Sequence, residues 1–222
     1  MRLIPIQLAL LLALGSAVAQ AAWPEIAFPR GARVEAIGDQ VRLNGVPMQM
    51  HRVLSSQSPR ELINFYREAL GTRHAEQGLP GSHILSQELG DFFITINIRP
   101  LSAKVTEVLV SVSDRIEAKR AANRPLGFGL PANSTVMSDM ESVDAGKRSR
   151  QLVVGNRHGI DTNVQALTQE LASRGFEPDG APSRHGQTEH VQLFKGEQRD
   201  AQLTLVRKGG ETQIVLTTIQ YP

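Results

Sequence analysis

The residues best suited to chemistry are six histidines set among carboxylates. His185, Glu189 and His190 fall in one stretch, Arg184-His185-Gly186-Gln187-Thr188-Glu189-His190, and His83 is the counterpart of His190 in the first half. Imidazoles beside a carboxylate are a zinc donor set. This spacing matches no helical His-x-x-x-His pair, however, and Gly186 marks a loop, so the sequence places these groups as exposed loop histidines. Nucleophilic catalysis has less support. There is no cysteine and no Gly-x-Ser-x-Gly elbow, and Ser55, Ser56 and Ser58 stand before a helix, where serine serves turns and caps. Gly127-Phe128-Gly129 lacks the third glycine and the strand-turn-helix setting of a dinucleotide loop. The basic clusters Lys147-Arg148-Ser149-Arg150 and Arg207-Lys208 sit at or near expected turns and read as solvated, not as nucleic-acid or phosphate sites. No catalytic, cofactor-binding or metal-binding residue is assigned.

The elements that would position these groups occur twice. Gly45 and Gly146, Val53 and Val154, Ile63 and Val164, Tyr66 and Leu167, Leu70 and Leu171, and Arg73 and Arg174 are each 101 positions apart (154 − 53 = 101). A constant step through turn and apolar helix positions is the mark of a repeated unit. Each copy opens at a proline, Pro29 or Pro131, with a short extended segment, Ala32 to Ile37 or Thr135 to Met140. A hairpin follows, turned at Asn44-Gly45 or Asp144-Ala145-Gly146. Asn-Gly between alternating runs signals a type I′ turn, whose central residues both need positive φ. Pro47 cannot donate a ladder hydrogen bond, which predicts an edge or a bulge for its strand.

Ser58-Pro59-Arg60-Glu61 is a capping box with proline at the first helical position. Leu62, Ile63, Tyr66, Ala69 and Leu70 then form one apolar stripe, with Phe65 at its rim. The second helix starts at Asp161 or Thr162 and carries Val164, Leu167 and Leu171; Gly175 offers a left-handed cap and Phe176 packs back on it. Three strands follow in each half, around Ile84-Leu85, Phe92–Ile98 and Val105–Val112, answered by Val191–Leu193, Ala201–Val206 and Thr212–Ile219. Met48 and Met50 read as core filling. The expected fold class is α+β, two tandem ββαβββ repeats with a helix packed on each antiparallel sheet. The first repeat spans 28–114 and the second 130–222. The linker, 115–129, is charged and then breaker-rich, with one or two helical turns over Arg115–Arg120.

Residues 1–22 read as a secretory signal peptide. Arg2 supplies the positive region, Leu8–Leu14 the apolar core, and Ala17-Val18-Ala19 or Ala19-Gln20-Ala21 the cleavage site. The apolar run is shorter than the ~20 residues of a membrane span. Without Arg2, 23 basic residues face 22 acidic ones, a near balance that demands no polyanionic partner. The chain is therefore expected to be exported, periplasmic, and neither nucleic-acid-binding nor membrane-spanning.

Through Asn44-Gly45-Val46-Pro47-Met48, then Ser58 and Phe65-Tyr66-Arg67, the first repeat resembles a family of small exported proteobacterial proteins, mostly of unassigned function. The resemblance covers roughly residues 30–70, and the second repeat has neither the Asn-Gly turn nor the Phe-Tyr pair. It implies export and a non-catalytic role and transfers no site residue. The function expected from the sequence is a non-enzymatic accessory protein with a protein partner in the cell envelope, such as a secretion or pilus assembly. The alternative is a small-ligand binder using the groove between the repeats, lined by the two helices or the two sheet faces and favoured if a pocket at that junction holds buried arginine or histidine.

Aspartate at Leu70 or Leu171 would place a charge between helix and sheet. Either variant is expected to unfold its unit, and unchanged thermal melting of either would refute the alignment of the two halves.

Overall fold

The computed structural model describes residues 23–222; the proposed signal peptide lies outside them. In chain order the first half contains β1 (Arg33–Ala36), β2 (Gln40–Leu43), β3 (Val46–Ser55), α1 (Pro59–Leu70), β4 (Ala75–Leu79), β5 (Ser82–Leu89), β6 (Phe92–Ser102) and β7 (Val105–Asp114). Helix α2 (Arg115–Ala121) leads to β8 (Thr135–Asp144), β9 (Lys147–Asn156), α3 (Ile160–Ser173), β10 (Glu177–Pro178), β11 (Arg184–His185), β12 (Glu189–Gly196), β13 (Arg199–Lys208) and β14 (Glu211–Gln220).

Local chemistry sets the ends of these elements. Asn44 and Gly45 take φ of 51° and 78°, closing the β2–β3 hairpin at Leu43–Val46. The Ser58 side chain accepts from the Glu61 amide while the Glu61 carboxylate accepts from the Ser58 amide, completing the capping box. Gly175 has φ of 79°, and the Phe176 amide bonds back to the Leu171 carbonyl. Pro80-Gly81 turns a hairpin between β4 and β5 that the periodicity did not reveal, because β4 is exposed along its whole length and carries no apolar alternation.

The fold is α+β, and its sheet is larger than expected. All fourteen strands belong to one antiparallel sheet, with main order β10-β12-β13-β14-β9-β8-β2-β3-β7-β6-β5-β4. The junction is β2 against β8, in register from Gln40–Val143 to Leu43–Met140. Strand β8 reaches across because the segment read as a separate strand from Thr135 runs on into the hairpin as one ten-residue strand, with a bulge between Val136 and Ser138.

Two cores lie on this sheet. Leu62, Tyr66 and Leu70 of α1 pack on Leu85, Ile94, Ile96, Ile98, Val108 and Val110. Ile160, Leu167 and Leu171 of α3 pack on Phe194, Leu203, Leu205, Ile214 and Leu216. Pairing register fixes their relative side. Val53 shares a face with Pro47; Pro47 lies opposite Arg42, Arg42 opposite Glu141, Glu141 opposite Arg150, and Arg150 shares a face with Leu152 and Val154. Both helices therefore sit on one face of the sheet, since side chains alternate strictly along a strand.

Several sequence expectations change. The strand carrying Pro47 is interior: β3 pairs with β7 on one side and with β2 and β1 on the other. Proline is accommodated because the β7 ladder begins only at Met48, opposite Ser113. Met48 and Met50 alternate with Gln49 and His51 and so lie on the face away from α1, half-buried, instead of filling its core. Ala69 is exposed. Trp23 and Ile26, ahead of the expected boundary at 28, pack on the first core, with the Trp23 ring 5.1 Å from that of Phe92.

The strand-to-helix turn is held by the same clasp in both halves. Ser55 Oγ accepts from the Gln57 amide (3.1 Å), and Thr106 Oγ1 donates to the Gln57 carbonyl (2.8 Å). Asn156 Oδ1 accepts from the His158 amide (3.1 Å), and Thr212 Oγ1 donates to the His158 carbonyl (2.6 Å). Buried backbone groups need such partners. At the position matching Leu62, the second half has Asn163, fully buried, whose amide bonds to Asn156 and to the His158 and Gly159 carbonyls. This network ties down the start of α3, where Gly159 supplies no side-chain cap.

Thr106→Val should cost about 1–3 kcal/mol, because the part-buried Gln57 carbonyl loses its side-chain donor. Thr212→Val should cost less, because Arg207 and Asn163 still donate to the His158 carbonyl. At roughly 2–4 °C per kcal/mol for a chain of this size, calorimetry can resolve the loss. Tyr66→Phe should behave oppositely. The Tyr66 hydroxyl is buried without a partner and its pKa is pushed upward by burial, so melting should hold or rise.

Candidate functional site

With a helix at each end of one face, the middle of the sheet is left as the floor of a groove. Its strands are β2, β8, β9 and β14, and the cavity above them measures about 560 Å³. Six arginines line it: Arg42, Arg124, Arg148, Arg150, Arg174 and Arg199; the only carboxylate among the lining residues is Glu141.

Each arginine arrives from a different local cause. Arg42 projects from β2 and donates to the Gly45 carbonyl at 3.1 Å. Arg124 follows α2, and its side chain packs against Gly45. Arg148 and Arg150 are alternate residues of β9, so both point to the helix-bearing face. Arg174 caps the C-terminal end of α3 and Arg199 opens β13; their neighbourhood is fixed by the Arg199 guanidinium donating to the Arg174 carbonyl at 2.9 Å. Arg148 lies opposite Gln220, and Gln220 opposite Arg199, so these three form a row across β9, β14 and β13.

Two of the six are neutralised at close range. Arg150 makes a double hydrogen bond to Asp139 (2.7 and 2.8 Å) and reaches the Leu126 carbonyl; the bond to Asp139 raises its pKa. Arg174 pairs with Glu170 at 2.6 Å and donates to the Gly127 carbonyl. Arg174 and Arg199 also lie over the rings of Phe128 and Phe176, at 4.7 and 5.8 Å. Packing on an aromatic face and bonding to fixed carbonyls hold a guanidinium in place before any ligand arrives. Among the described residues, Arg42, Arg124, Arg148 and Arg199 have no carboxylate within ion-pair distance. Six guanidinium groups against Glu141, Asp139 and Glu170 leave three positive charges uncompensated, whereas the formal charge of the whole chain is +2.

The cluster Lys147-Arg148-Ser149-Arg150, read as a solvated turn, is thus the start of a strand, with two of its bases in the groove. Arg207 is likewise structural: it donates to the Arg157 and His158 carbonyls and to Thr212, joining the α3 clasp. The alternation of Arg148 and Arg150 was visible in the sequence. Their convergence with Arg42 and Arg199 was not, since it depends on which strands pair.

The histidines do not assemble. His83 and His74 both bond to Glu76, which Arg67 holds through two hydrogen bonds of 2.7 Å. His185 and His190 contact each other through Nδ1 at 3.1 Å, while Glu189 turns away to Arg184. Contrary to a loop assignment, His190 is buried in β12, and burial, together with His185, lowers its pKa. Among the described residues, no group of three or more His, Asp and Glu is placed to hold a metal ion. On the opposite face of the sheet, burial pushes the Glu107 carboxyl upward, but hydrogen bonds from Arg99 and Arg52 outweigh it and hold the pKa down.

No protein-family model, curated protein or solved structure matches this chain. No helix among the described residues is long and apolar enough to cross a membrane.

The Glu76 cluster ties the terminal strand β4 to α1 and gives a pH signature. Hydrogen bonds from Arg67, His74 and His83 hold Glu76 well below its ordinary 4.5, so its contribution is present above that value and lost on acidification. Glu76, and then the Gly71 carbonyl, raise His74 above 6.5, so that contribution is present below 6.5 and lost as pH rises through the raised value. The melting difference between wild type and Glu76→Gln should be largest between pH 4.5 and 6.5 and narrow on both sides. A pH-independent difference would exclude the coupling.

Proposed function

We propose that this chain is an exported, non-enzymatic binding protein of the periplasm. It is built from two tandem ββαβββ units, and its ligand enters the groove at their junction. The observation that carries the reading is that groove, about 560 Å³ in volume and lined by arginines from both halves and the linker. Cavities of roughly 300–1,000 Å³ at unit junctions are where small ligands are held.

The two-unit reading has support beyond sequence spacing. The β2–β3 and β8–β9 hairpins have the same register once shifted by 101 positions: Val41–Met48 answers Ser142–Ser149, and Leu43–Val46 answers Asp144–Lys147. The Ser55–Gln57–Thr106 clasp recurs as Asn156–His158–Thr212. A binding role without catalysis fits the groove chemistry. Its one lining carboxylate, Glu141, lies between Arg42 and Arg150 in the strand register and 3.8 Å from the Arg150 guanidinium, where it balances charge within the arginine cluster.

An accessory role in a cell-envelope secretion or pilus assembly is the second reading, favoured by one observation. Strand β4 ends the sheet and is exposed at all five residues, which leaves a free edge for an added strand.

Thr218 lies on the groove floor, so Thr218→Trp would fill it. In a thermal-shift screen of chemically varied small molecules, wild type should be stabilised by one class and Thr218→Trp should not respond to it. Equal responses from both proteins would reject the groove. Crosslinked pull-down from the native envelope, repeated with a β4 variant, tests the second reading.

A further inference from the structure

We propose that the groove's ligand is a compact multivalent anion carrying two or more phosphoryl or carboxylate groups. The inference rests on the groove reading above and adds the ligand's chemistry.

Like charges drawn together cost free energy, on the order of 1 kcal/mol per pair at 4 Å in water and several-fold more near a protein surface. Proteins usually relieve such clusters with interleaved carboxylates. Here relief is partial: Asp139 and Glu170 engage Arg150 and Arg174, whereas Arg42, Arg124, Arg148 and Arg199 face the cavity with none. Guanidinium is the group that grips planar or tetrahedral oxyanions through paired donors. The stacked and carbonyl-bound guanidinium of Arg199 is already ordered for that contact.

Distribution along the groove indicates more than one anionic group. Arg42 and Arg124 gather at the Gly45 turn, at the β2 end. Arg148 and Arg199 lie in the row that crosses β9, β14 and β13. Strands are spaced roughly 4.8 Å apart, which puts β2 and β13, four steps apart in the sheet order, roughly 19 Å from each other. Arginine side chains extend inward from both ends, so linked oxyanions can engage both groups at once where a single oxyanion engages fewer of these donors. Phe128, half-buried among the lining residues, offers apolar contact for the body that joins them.

The test is calorimetric titration of the purified protein with inorganic tripolyphosphate, citrate and orthophosphate, at low and at physiological salt. One tripolyphosphate or citrate should bind per chain, and orthophosphate at least tenfold more weakly. Preference between the first two separates phosphoryl from carboxylate recognition. Arg124→Gln/Arg148→Gln should weaken binding at least tenfold. Arg60→Gln/Arg73→Gln, which removes the same charge outside the groove, should leave it within twofold of wild type. Absence of saturable binding, or equal weakening in both double variants, overturns the proposal. If an uncharged compound from the screen still binds and is blocked by Thr218→Trp, the anion assignment alone fails; if nothing is blocked, the groove reading fails with it.

Discussion

The pairing of β2 with β8 is the interaction on which this architecture depends. Four residues of β2 meet Met140–Val143 of β8, and the match is reinforced at the turns. The Asn44 amide donates to the Asp139 carbonyl at 2.7 Å, the Asp139 amide to the Asn44 side chain at 2.9 Å, and the Ala145 amide to the Asp39 carboxylate at 3.1 Å. Without this ladder, each half would still have a helix, an apolar face and its own core. It would also have a free hairpin edge, which is a liability in isolation. Joining the two edges satisfies both sets of backbone groups and sets the helices on a common face.

That common face explains the groove. Each helix covers the strands of its own half, so the joining strands lie beyond the reach of either. A floor made of β2, β8, β9 and β14 has no apolar cover, and its outward-facing positions are polar or basic near the junction: Arg42, Glu141, Arg148, Arg150 and Thr218. Away from the junction the same strands turn apolar, as at Leu152, Val154, Ile214 and Leu216, where α3 covers them. Polarity thus follows the shadow of the helix along each strand.

Within the halves, stability is divided between burial and a small number of fixed polar contacts. The clasps at Gln57 and His158 matter because the chain leaves a buried strand and must begin a helix within four residues, and the part-buried carbonyl of that turn needs a donor from a neighbouring strand. The second half departs most from the first here, with Asn163 in place of Leu62 and Arg207 added to the clasp. The terminal strand β4 is managed differently. Its Glu76 faces α1 and is held by Arg67, His74 and His83, which ties the edge strand to the helix while its outer edge stays unpaired.

The sequence by itself determined what depends on near neighbours. Asn44-Gly45 specified a turn because few residues tolerate two positive φ values in succession, Ser58 and Glu61 specified a helix start because their side chains reach only the local amides, and the spacing of Leu62, Tyr66 and Leu70 specified a buried helical face. Tertiary structure alone decided everything that turns on pairing between distant segments. It made the Pro47 strand interior, put Met48 and Met50 on the far face, and buried His190. It also brought Arg42, Arg124, Arg148 and Arg199 to one cavity from three strands and the segment after α2, spread over more than 150 residues. The physical reason is that a strand's backbone accepts any partner of suitable register. Which edge meets which is settled by the energy of the whole sheet, and the side chains along it reveal that choice only once the sheet is complete.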